Sequence, residues 1–328
     1  MNQANSPLVL LTHPLPREWI TSLEDRCRLV VGPEEGRGLS PKLRQHLPQA
    51  QGLIALLDDP IDSEIVQAGA NLQVITNMAV GYDNIDIEAC TKRGIPVGNT
   101  PGVLTEGTAD LTAALLLAVA RRLPQANKDA REGRWNTWNP TGWLGADLKG
   151  ATAGILGMGK IGTAVARRLG AFESRLLFTN RSPRPDLEES LNANQVQLEE
   201  LLEQSDFLCL HVPLNAQTRG MIDESALRRM KETSIVINAA RGAVVVTEDL
   251  VRALKEGWIQ GAGLDVTDPE PLPPEHELYD LENCLVTPHI GSATQQTRRT
   301  MAALAVDNVL AGLKGKRLPH PVNPEVYA

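Results

Sequence analysis

The feature that most constrains this chain is a glycine-rich turn that joins a hydrophobic segment to an amphipathic one. Thr152–Leu156 has the composition of a buried strand, Gly157–Gly162 has the pattern G-x-G-x-x-G, and Thr163–Leu169 follows as a helix. Such glycines permit a tight turn, close approach of the backbone to a pyrophosphate, and close packing of helix on strand. The free N–H groups at the helix start favour the negative charge of the pyrophosphate. Strand, turn and helix in this order therefore predict a dinucleotide site. Its predicted contacts are Gly157, Gly159, Lys160, Ile161 and Gly162.

Short hydrophobic strands alternate with amphipathic helices along the rest of the chain. This alternation predicts parallel sheets covered by helices on both faces, and 328 residues are enough for two such domains. Long helices near residues 105–122 and 295–312 are predicted to be the crossovers between the domains, with an irregular polar loop at 129–149 after the first. The predicted fold class is therefore α/β with two doubly wound domains. We expect a discontinuous substrate domain at 1–103 and 291–328, and a dinucleotide-binding domain at 104–290.

Charge and composition exclude several classes of protein. The formal net charge of −8 argues against a nucleic-acid partner bound through broad positive charge. The four cysteines have neither the spacing of a zinc site nor that of a disulfide framework, so we expect reduced thiols and no metal. The longest apolar run, Leu111–Ala120, is about half a membrane span, and Met1–Pro7 lacks the apolar stretch of a signal peptide. We therefore expect a cytoplasmic protein with no membrane partner.

The strand after the glycine turn ends in a sequence that bears on the choice of cofactor. Arg175–Thr179 is followed by Asn180, Arg181 and Ser182, and no Asp or Glu occurs before Asp186. An NAD-specific site places a carboxylate here to accept from the ribose 2′-hydroxyl, whereas these three side chains suit a 2′-phosphate. All three are predicted cofactor contacts, with NADPH preferred over NADH. A solvated turn is the alternative interpretation, and NAD stays possible.

Three polar side chains that suit carbonyl reduction follow strands of the second βα series. They are Arg241, Glu270 and His289. Ligands of open α/β sheets lie beyond the carboxyl ends of the strands. A guanidinium holds a carboxylate bidentately, and an imidazole donates a proton while a neighbouring carboxylate favours its charged form. Alone, the arginine has an ordinary interpretation as a surface ion pair and the histidine as a structural residue. Together they predict a reduction in which a cofactor supplies hydride.

These motifs together resemble the D-isomer-specific 2-hydroxyacid dehydrogenases, and the resemblance covers essentially the whole chain. It is carried by Gly157–Gly162, Asn238–Gly242, Asp265–Leu272 and Thr287–Gly291. Within that family the chain is most similar to the glyoxylate/hydroxypyruvate reductases. The stretches shared with them are Asn77–Asp83, Arg121–Pro124 and the tryptophan-bearing loop from Trp135 to Trp143. The resemblance implies a Rossmann dinucleotide-binding domain and a smaller flavodoxin-like substrate domain.

The resemblance also implies roles for individual residues. Arg241 anchors the substrate carboxylate and polarises the keto oxygen, and His289 is the general acid in reduction, hydrogen-bonded to Glu270. Substrate contacts are implied for Arg241, His289, Val80, Gly81, Ser292 and Trp138. Val80 and Gly81 would make theirs through backbone N–H groups. Further cofactor contacts are implied for Thr108, Pro213, Thr218, Ala239, Asp265 and Gly291, with Asp265 facing the nicotinamide.

The function that the resemblance implies is an NADPH-preferring reductase acting on a small anionic 2-keto acid. Glyoxylate would give glycolate and hydroxypyruvate would give D-glycerate, in a homodimer formed around the cofactor domain. The absent acidic ribose residue departs from NAD-specific members, and Pro213 stands where some related reductases have Ser. Another D-2-hydroxyacid or phosphite dehydrogenase stays open, as does a dinucleotide-sensing corepressor-like protein. A 3-phosphoglycerate dehydrogenase is less expected, because no added regulatory domain follows Ala328.

Overall fold

The computed structural model describes residues 6–328. The chain divides into two compact units. Unit 1 takes the chain up to Leu104 and again from Thr294 to Ala328, and unit 2 is Thr105–Ala293. The limits that the sequence predicts for the two domains, 1–103 with 291–328 and 104–290, stay a proposal. The expectation about a signal peptide falls largely on residues 1–5, outside the described residues.

Unit 1 contains a five-stranded sheet in the order β2-β1-β3-β4-β5, with every pairing parallel. Its strands are β1 (Leu8–Leu11), β2 (Arg28–Val31), β3 (Gly52–Ala55), β4 (Val74–Asn77) and β5 (Val97–Gly98). Its helices are α1 (Arg17–Glu24), α2 (Pro41–His46), α3 (Ser63–Ala68), α4 (Ile87–Lys92) and, at the chain end, α12 (Gln295–Gly312). This strand order is that of flavodoxin-like doubly wound folds.

Side-chain caps decide where several helices of unit 1 begin. Asp62 Oδ1 accepts from the N–H of Ile65 at 2.9 Å, and Asp86 Oδ1 accepts from the N–H of Ala89 at 2.8 Å. A capping carboxylate satisfies an N–H that has no partner within the helix. The cap at Asp86 makes α4 start at Ile87. Asn84 therefore belongs to the loop that follows β4.

Unit 2 contains a seven-stranded sheet in the order β12-β11-β10-β9-β6-β7-β8, again with parallel pairings. Its strands are β6 (Thr152–Leu156), β7 (Arg175–Thr179), β8 (Ala193–Gln195), β9 (Phe207–Leu210), β10 (Ile235–Asn238), β11 (Gly261–Leu264) and β12 (Cys284–Val286). Its helices are α5 (Thr105–Ala120), α6 (Leu123–Arg131), α7 (Lys160–Ala171), α8 (Pro185–Leu191), α9 (Leu198–Gln204), α10 (Glu224–Arg229) and α11 (Thr247–Glu256). Short 3₁₀ turns at Leu47–Gln49, Gly242–Val244, Glu277–Tyr279 and Pro324–Tyr327 complete the described elements.

The carboxyl ends of five strands of unit 2 lie in one row. In the parallel register, their last residues pair one after another: Leu156, Leu210, Asn238, Leu264 and Val286. The chain order of the strands reverses at β6, which makes this edge the topological switch point where ligands of such sheets bind. Residues that directly follow β6, β9, β10, β11 and β12 therefore share one edge of the sheet.

The predicted α/β fold with two doubly wound sheets is confirmed, while one predicted boundary in unit 2 was wrong. The helix expected to reach Arg122 ends at Ala120, and α6 (Leu123–Arg131) extends into the first residues of the loop expected at 129–149. Arg122 has φ 50°, in the left-handed region, and Pro124 occupies the first turn of α6. A left-handed residue stops one helix, and a proline in the first turn suits the start of the next.

All four cysteines are free thiols, three of them buried and Cys284 partly so. Across residues 6–328, no helix combines the length and the apolar character needed to span a membrane.

Candidate active site

The glycine-rich turn lies at the carboxyl end of β6 and begins α7. A Cβ on Gly157, whose φ is +99°, would lie 2.7 Å from the carbonyl carbon of His211, and a Cβ on Gly162 would lie 2.1 Å from the Gly157 carbonyl oxygen. At Gly159 no heavy atom of residues 6–328, apart from the glycine and its chain neighbours, lies within 4 Å of the Cβ position. Gly159 is also the N-cap of α7, which has no side-chain cap. The turn thus leaves open space over uncapped N–H groups, and this cradle fits the pyrophosphate of a dinucleotide.

Some polar side chains of the turn after β7 are already engaged within the protein. Asn180 is used within the turn, because its Oδ1 accepts from the N–H of Met158 at 3.2 Å and its Nδ2 donates to the carbonyl of Ser182 at 2.8 Å. Arg184 is also engaged, since its Nε and Nη2 lie 2.9 and 2.8 Å from the Asp186 carboxylate. This pairing holds the pKa of the Asp186 carboxyl below its usual value. The first carboxylate after the turn is therefore already neutralised.

Arg181 is the cation that this turn leaves exposed. Within the described part of the chain, its guanidinium makes no hydrogen bond or ion pair. Ser182 beside it is exposed as well, as is Lys160 at the start of α7. The turn therefore presents positive charge and a hydroxyl group but no unpaired carboxylate.

Arg241 follows β10 and is held from its backbone side. The chain is extended at Arg241 (φ −146°, ψ 140°). Asn238, which is 1% exposed, donates from Nδ2 to the Arg241 carbonyl at 2.9 Å and accepts from the N–H of Ala240 at 3.1 Å. The Arg241 side chain also donates from Nη1 to the Ala240 carbonyl at 2.9 Å. A buried asparagine thus fixes the turn that carries this guanidinium, with partly exposed Ala239 on the same turn.

His289 and Glu270 are in direct contact. The imidazole Nδ1 lies 2.5 Å from Glu270 Oε1, and the two side chains are 23% and 30% exposed. The other carboxylate oxygen accepts from the N–H of Thr267 at 3.3 Å. Because Nδ1 faces the carboxylate, Nε2 is the nitrogen left to exchange a proton with a ligand. Histidine with an oriented carboxylate is an arrangement suited to general acid–base chemistry.

The backbone at His289 is left-handed, with φ 50°. This conformation is uncommon for a residue other than glycine. Asp265, only 2% exposed, stabilises it from the end of β11: its carbonyl accepts from the N–H of His289 at 3.0 Å. Its carboxylate accepts from the N–H groups of Ile290 and Gly291 at 2.8 and 2.7 Å and from the hydroxyl of Thr287 at 2.7 Å. Asp265 therefore holds the turn that presents the imidazole, and its contact with nicotinamide stays a prediction.

Other predicted residues hold the same edge together. Thr108, 5% exposed on α5, donates to the Gly291 carbonyl at 3.2 Å. Thr218 is buried and donates to the carbonyl of Pro213 at 2.6 Å, and Pro213 itself is exposed at the loop surface. Ser292 and Ile161 are partly exposed. The structure gives these residues positions, and their contacts with a ligand stay predictions.

His211 is a residue of this edge that the sequence analysis did not predict as functional. It directly follows β9, and its N–H donates to the Leu156 carbonyl at 2.8 Å, beside the glycine turn. Among the described residues, neither ring nitrogen has a hydrogen-bond partner, and both are buried. Burial lowers the pKa of His211 to about 4. The signal that could have found it is its place as the polar residue directly after a hydrophobic strand at the switch point.

His211 is expected to make the protein acid-sensitive. Its folded pKa lies below the ordinary value of about 6.5, so the unfolded state binds more protons and stability falls as pH drops from about 6.5 towards 4. At pH 5 the loss is about 2 kcal/mol. His211→Phe should lose less stability between pH 7 and pH 5 in urea denaturation. His276→Phe, whose wild-type ring accepts from the N–H of Leu278 at 3.2 Å, should keep the wild-type loss. Equal losses in both variants would contradict this assignment.

The loop that follows β4 in unit 1 carries the predicted substrate contacts Val80 and Gly81. Val80 and Gly81 are both partly exposed. In the part of the chain that is described, their backbone N–H groups donate to no partner. Two successive free N–H groups form a concavity that suits an anion.

Trp138 lies on the loop after α6 in unit 2 and is 80% exposed. Trp135 on the same loop is 67% exposed. The third tryptophan of the loop, Trp143, is anchored instead, because its Nε1 donates to Asp129 at 2.9 Å. Two large aromatic side chains therefore face outward from unit 2.

The chain is similar in sequence and structure to known dehydrogenases and reductases. The family model described as D-isomer specific 2-hydroxyacid dehydrogenase, NAD binding domain, matches residues 113–291. A protein named glyoxylate reductase from Korarchaeum cryptofilum is 46% identical over 321 residues, covering 98% of this chain and 97% of its own. The TT0316 protein of Thermus thermophilus superimposes with a TM-score of 0.90 at 47% identity, covering 96% of this chain and 99% of its own. An NADPH-dependent glyoxylate/hydroxypyruvate reductase from Sinorhizobium meliloti, solved with NADP and malonate, gives a TM-score of 0.85 at 33% identity, covering 97% of both chains.

Proposed function

Because the chain belongs to the D-isomer specific 2-hydroxyacid dehydrogenase family, we propose that it reduces glyoxylate and hydroxypyruvate with NADPH. The family makes it an NAD(P)-dependent oxidoreductase of 2-keto acids. The choice of acid and of cofactor is the proposal. One observation of the structure carries it: the paired His289 and Glu270 lie at the same sheet edge as Arg241 and the glycine turn.

The cofactor is expected to bind over the turn at the start of α7. Gly157, Gly159 and Gly162 shape the cradle, and the free N–H groups of the helix start would hold the pyrophosphate. When bound, a nicotinamide dinucleotide supplies hydride to the keto carbon. Side chains of this protein must then stabilise the charge on the keto oxygen and supply the proton.

Two of those side chains supply charge and a proton. As the keto carbon is reduced, negative charge develops on its oxygen, and a guanidinium placed there stabilises this charge. We assign that role, together with binding of the substrate carboxylate, to Arg241. His289 donates the proton from Nε2, because Nδ1 is held by Glu270. Glu270 fixes the orientation of the imidazole through its contact with Nδ1.

The substrate carboxylate is expected to receive hydrogen bonds from the backbone as well. The N–H groups of Val80 and Gly81 have no partner among the described residues and are suited to carboxylate oxygens. The hydroxyl of Ser292 is a further proposed contact. These contacts favour small acids whose carboxylate is next to the carbonyl.

Arg181 is the residue we propose to select NADPH. Arg181→Ala should raise the KM for NADPH about tenfold, as expected for loss of one charge-assisted phosphate contact. The KM for NADH should change less than about twofold, because NADH has no 2′-phosphate. Arg175→Ala is the matched control, since Arg175 is exposed at the opposite end of the same strand β7. Steady-state kinetics with both cofactors measure the effect, and equal changes for NADPH and NADH would contradict it.

The proposed function is tested by a steady-state panel of the wild-type protein. NADPH and NADH are each combined with glyoxylate, hydroxypyruvate and pyruvate, and oxidised cofactor is combined with phosphite. We expect the highest kcat/KM with NADPH and glyoxylate or hydroxypyruvate. Oxidation of phosphite without reduction of keto acids, or higher efficiency with NADH, would overturn the proposal.

We further propose that the protein is a cytoplasmic homodimer whose partner surface includes Trp138. The exposed Trp135 and Trp138 support an interface, since large aromatic side chains are enriched at such surfaces. Free thiols at all four cysteines fit a reducing compartment. Light scattering of the purified protein measures the oligomeric state, and a monomer at micromolar concentration would overturn the dimer.

A further inference from the structure

We propose that Asn99 is a positioning residue that aims the backbone of the Val80–Gly81 loop at the substrate carboxylate. This inference rests on the proposed function, because it presumes that the loop binds that carboxylate. Asn99 follows β5, and its Nδ2 donates to the Val80 carbonyl at 2.8 Å. All of the contacts that carry the inference lie within unit 1.

The planarity of the peptide group links this hydrogen bond to the free N–H of Gly81. In a trans peptide the carbonyl of one residue and the N–H of the next point in opposite directions. When Asn99 holds the Val80 carbonyl on one side, the Gly81 N–H must point to the other. The preceding peptide is held in the same way, because the N–H of Thr100 donates to the Ala79 carbonyl at 2.8 Å and so sets the direction of the Val80 N–H.

The far side of the loop is fixed by a second pair of amides. Asn77, which is 0% exposed, donates from Nδ2 to the Gly81 carbonyl at 2.7 Å and to Asn84 Oδ1 at 2.9 Å. Asn84 in turn donates to the carbonyls of Leu56 and Asp59 at 3.0 and 2.9 Å. A buried amide network whose groups are satisfied is rigid, and it ties the loop to the segment after β3.

Asn99 is itself held on both sides of its backbone. Its N–H donates to the His320 carbonyl at 3.2 Å, and its carbonyl accepts from Asn308 Nδ2 at 3.0 Å. Asn308 is 0% exposed on α12. The side-chain amide therefore extends from an anchored segment, and its loss should free the Val80 peptide without displacing that segment.

In the loop at Ala79–Gly81 the carbonyl groups are hydrogen-bonded, whereas two backbone N–H groups are not, among the described residues. The carbonyls of Ala79, Val80 and Gly81 all accept hydrogen bonds. For residues 6–328, the N–H groups of Val80 and Gly81 have no acceptor. The hydrogen-bond network holds these two N–H groups in one direction, so they can donate to a bound carboxylate. Binding then requires little further ordering of the loop.

The test compares two asparagines that make the same kind of bond in unit 1. Asn99→Ala removes the donor to the Val80 carbonyl. Asn71→Ala removes an amide whose Nδ2 donates to the Pro48 carbonyl at 2.7 Å, on another loop of unit 1. Each variant is assayed with NADPH and glyoxylate, with oxalate as a non-reacting dicarboxylate inhibitor, and with thermal unfolding as a measure of folding.

Asn99→Ala is expected to raise the KM for glyoxylate and the inhibition constant of oxalate in parallel, each about tenfold. The KM for NADPH should stay within about twofold and kcat should change less than KM, because the acid and the guanidinium are untouched. Asn71→Ala should match the wild type in every constant. A loss of stability alone would lower the active fraction and kcat without changing either carboxylate constant.

Two results would overturn the inference. In one, Asn99→Ala has the same glyoxylate KM as Asn71→Ala. In the other, KM rises while the oxalate constant does not. If the wild type reduces no keto acid at all, the proposed function fails. This outcome is distinct from failure of the inference about Asn99, because it is seen with the wild type before any variant is compared.

Discussion

His289→Ala is expected to lower kcat for glyoxylate reduction by about 10³-fold, in the middle of the range measured for general acids. The proton that completes the reduction must come from a group whose free nitrogen faces the ligand edge. Glu270 holds Nδ1 at 2.5 Å, and the left-handed turn at His289 is fixed by Asp265. Loss of the ring removes the proton donor to the developing oxyanion.

The measurement pairs kcat with cofactor affinity. The Kd for NADPH, from quenching of protein fluorescence, should stay within about threefold, because the cradle at the start of α7 does not depend on the imidazole. His276→Ala is the control, since this histidine accepts from the N–H of Leu278 on another loop of unit 2. Parallel loss of turnover and of cofactor binding would indicate a folding defect, and unchanged turnover would remove His289 from the reaction.

Arg241→Ala is expected to lower kcat/KM for glyoxylate by about 10³-fold or more. The guanidinium is assigned two functions, binding the carboxylate and stabilising charge on the keto oxygen. Charge-assisted hydrogen bonds of this kind are stronger than hydrogen bonds between neutral groups. Arg241→Lys should recover only part of the loss, because an ammonium group keeps the charge but lacks the planar fork. Asn238 holds the turn through the backbone, so the turn should keep its shape in both variants.

Chemical rescue separates the role of the side chain from a change in folding. Added guanidinium ion should restore part of the activity of Arg241→Ala and none of that of His289→Ala. Arg219→Ala, at an exposed arginine of unit 2, should behave as the wild type with and without guanidinium. An Arg241→Ala protein that keeps most of its kcat/KM would contradict the assignment.

The sequence predicted the fold class because its signals are local. The strand, glycine turn and helix around Gly157–Gly162 lie within about twenty residues, and each glycine has a backbone reason that the structure now shows as a contact or as open space. The alternation of β and α segments likewise predicted two doubly wound sheets, and this prediction is confirmed. The boundary at Ala120 was missed because the left-handed conformation of Arg122 has no signal in residue pattern.

The candidate residues were found from the sequence as residue types at strand ends, and the contact of His289 with Glu270 was expected only through the family resemblance. His289 and Glu270 are 19 residues apart and meet at 2.5 Å, a contact that the sequence analysis expected from family resemblance and that only the coordinates measure. Asn180 and Arg184 have the right side chains for a phosphate, yet both are engaged within the turn and leave Arg181 exposed. Their engagement depends on the conformation of the turn, which residue type alone does not specify.

By itself the sequence determined which chemistry the chain carries, because short-range patterns place a glycine cradle, a guanidinium, a carboxylate and an imidazole after hydrophobic strands. Only the tertiary structure decided which groups hold the others. Asp265 bonds to residues 22 to 26 positions away, and Asn99 holds a carbonyl 19 positions away. Such bonds follow from strand register and loop packing between distant segments, and a hydrogen bond of that kind leaves no periodicity in the chain.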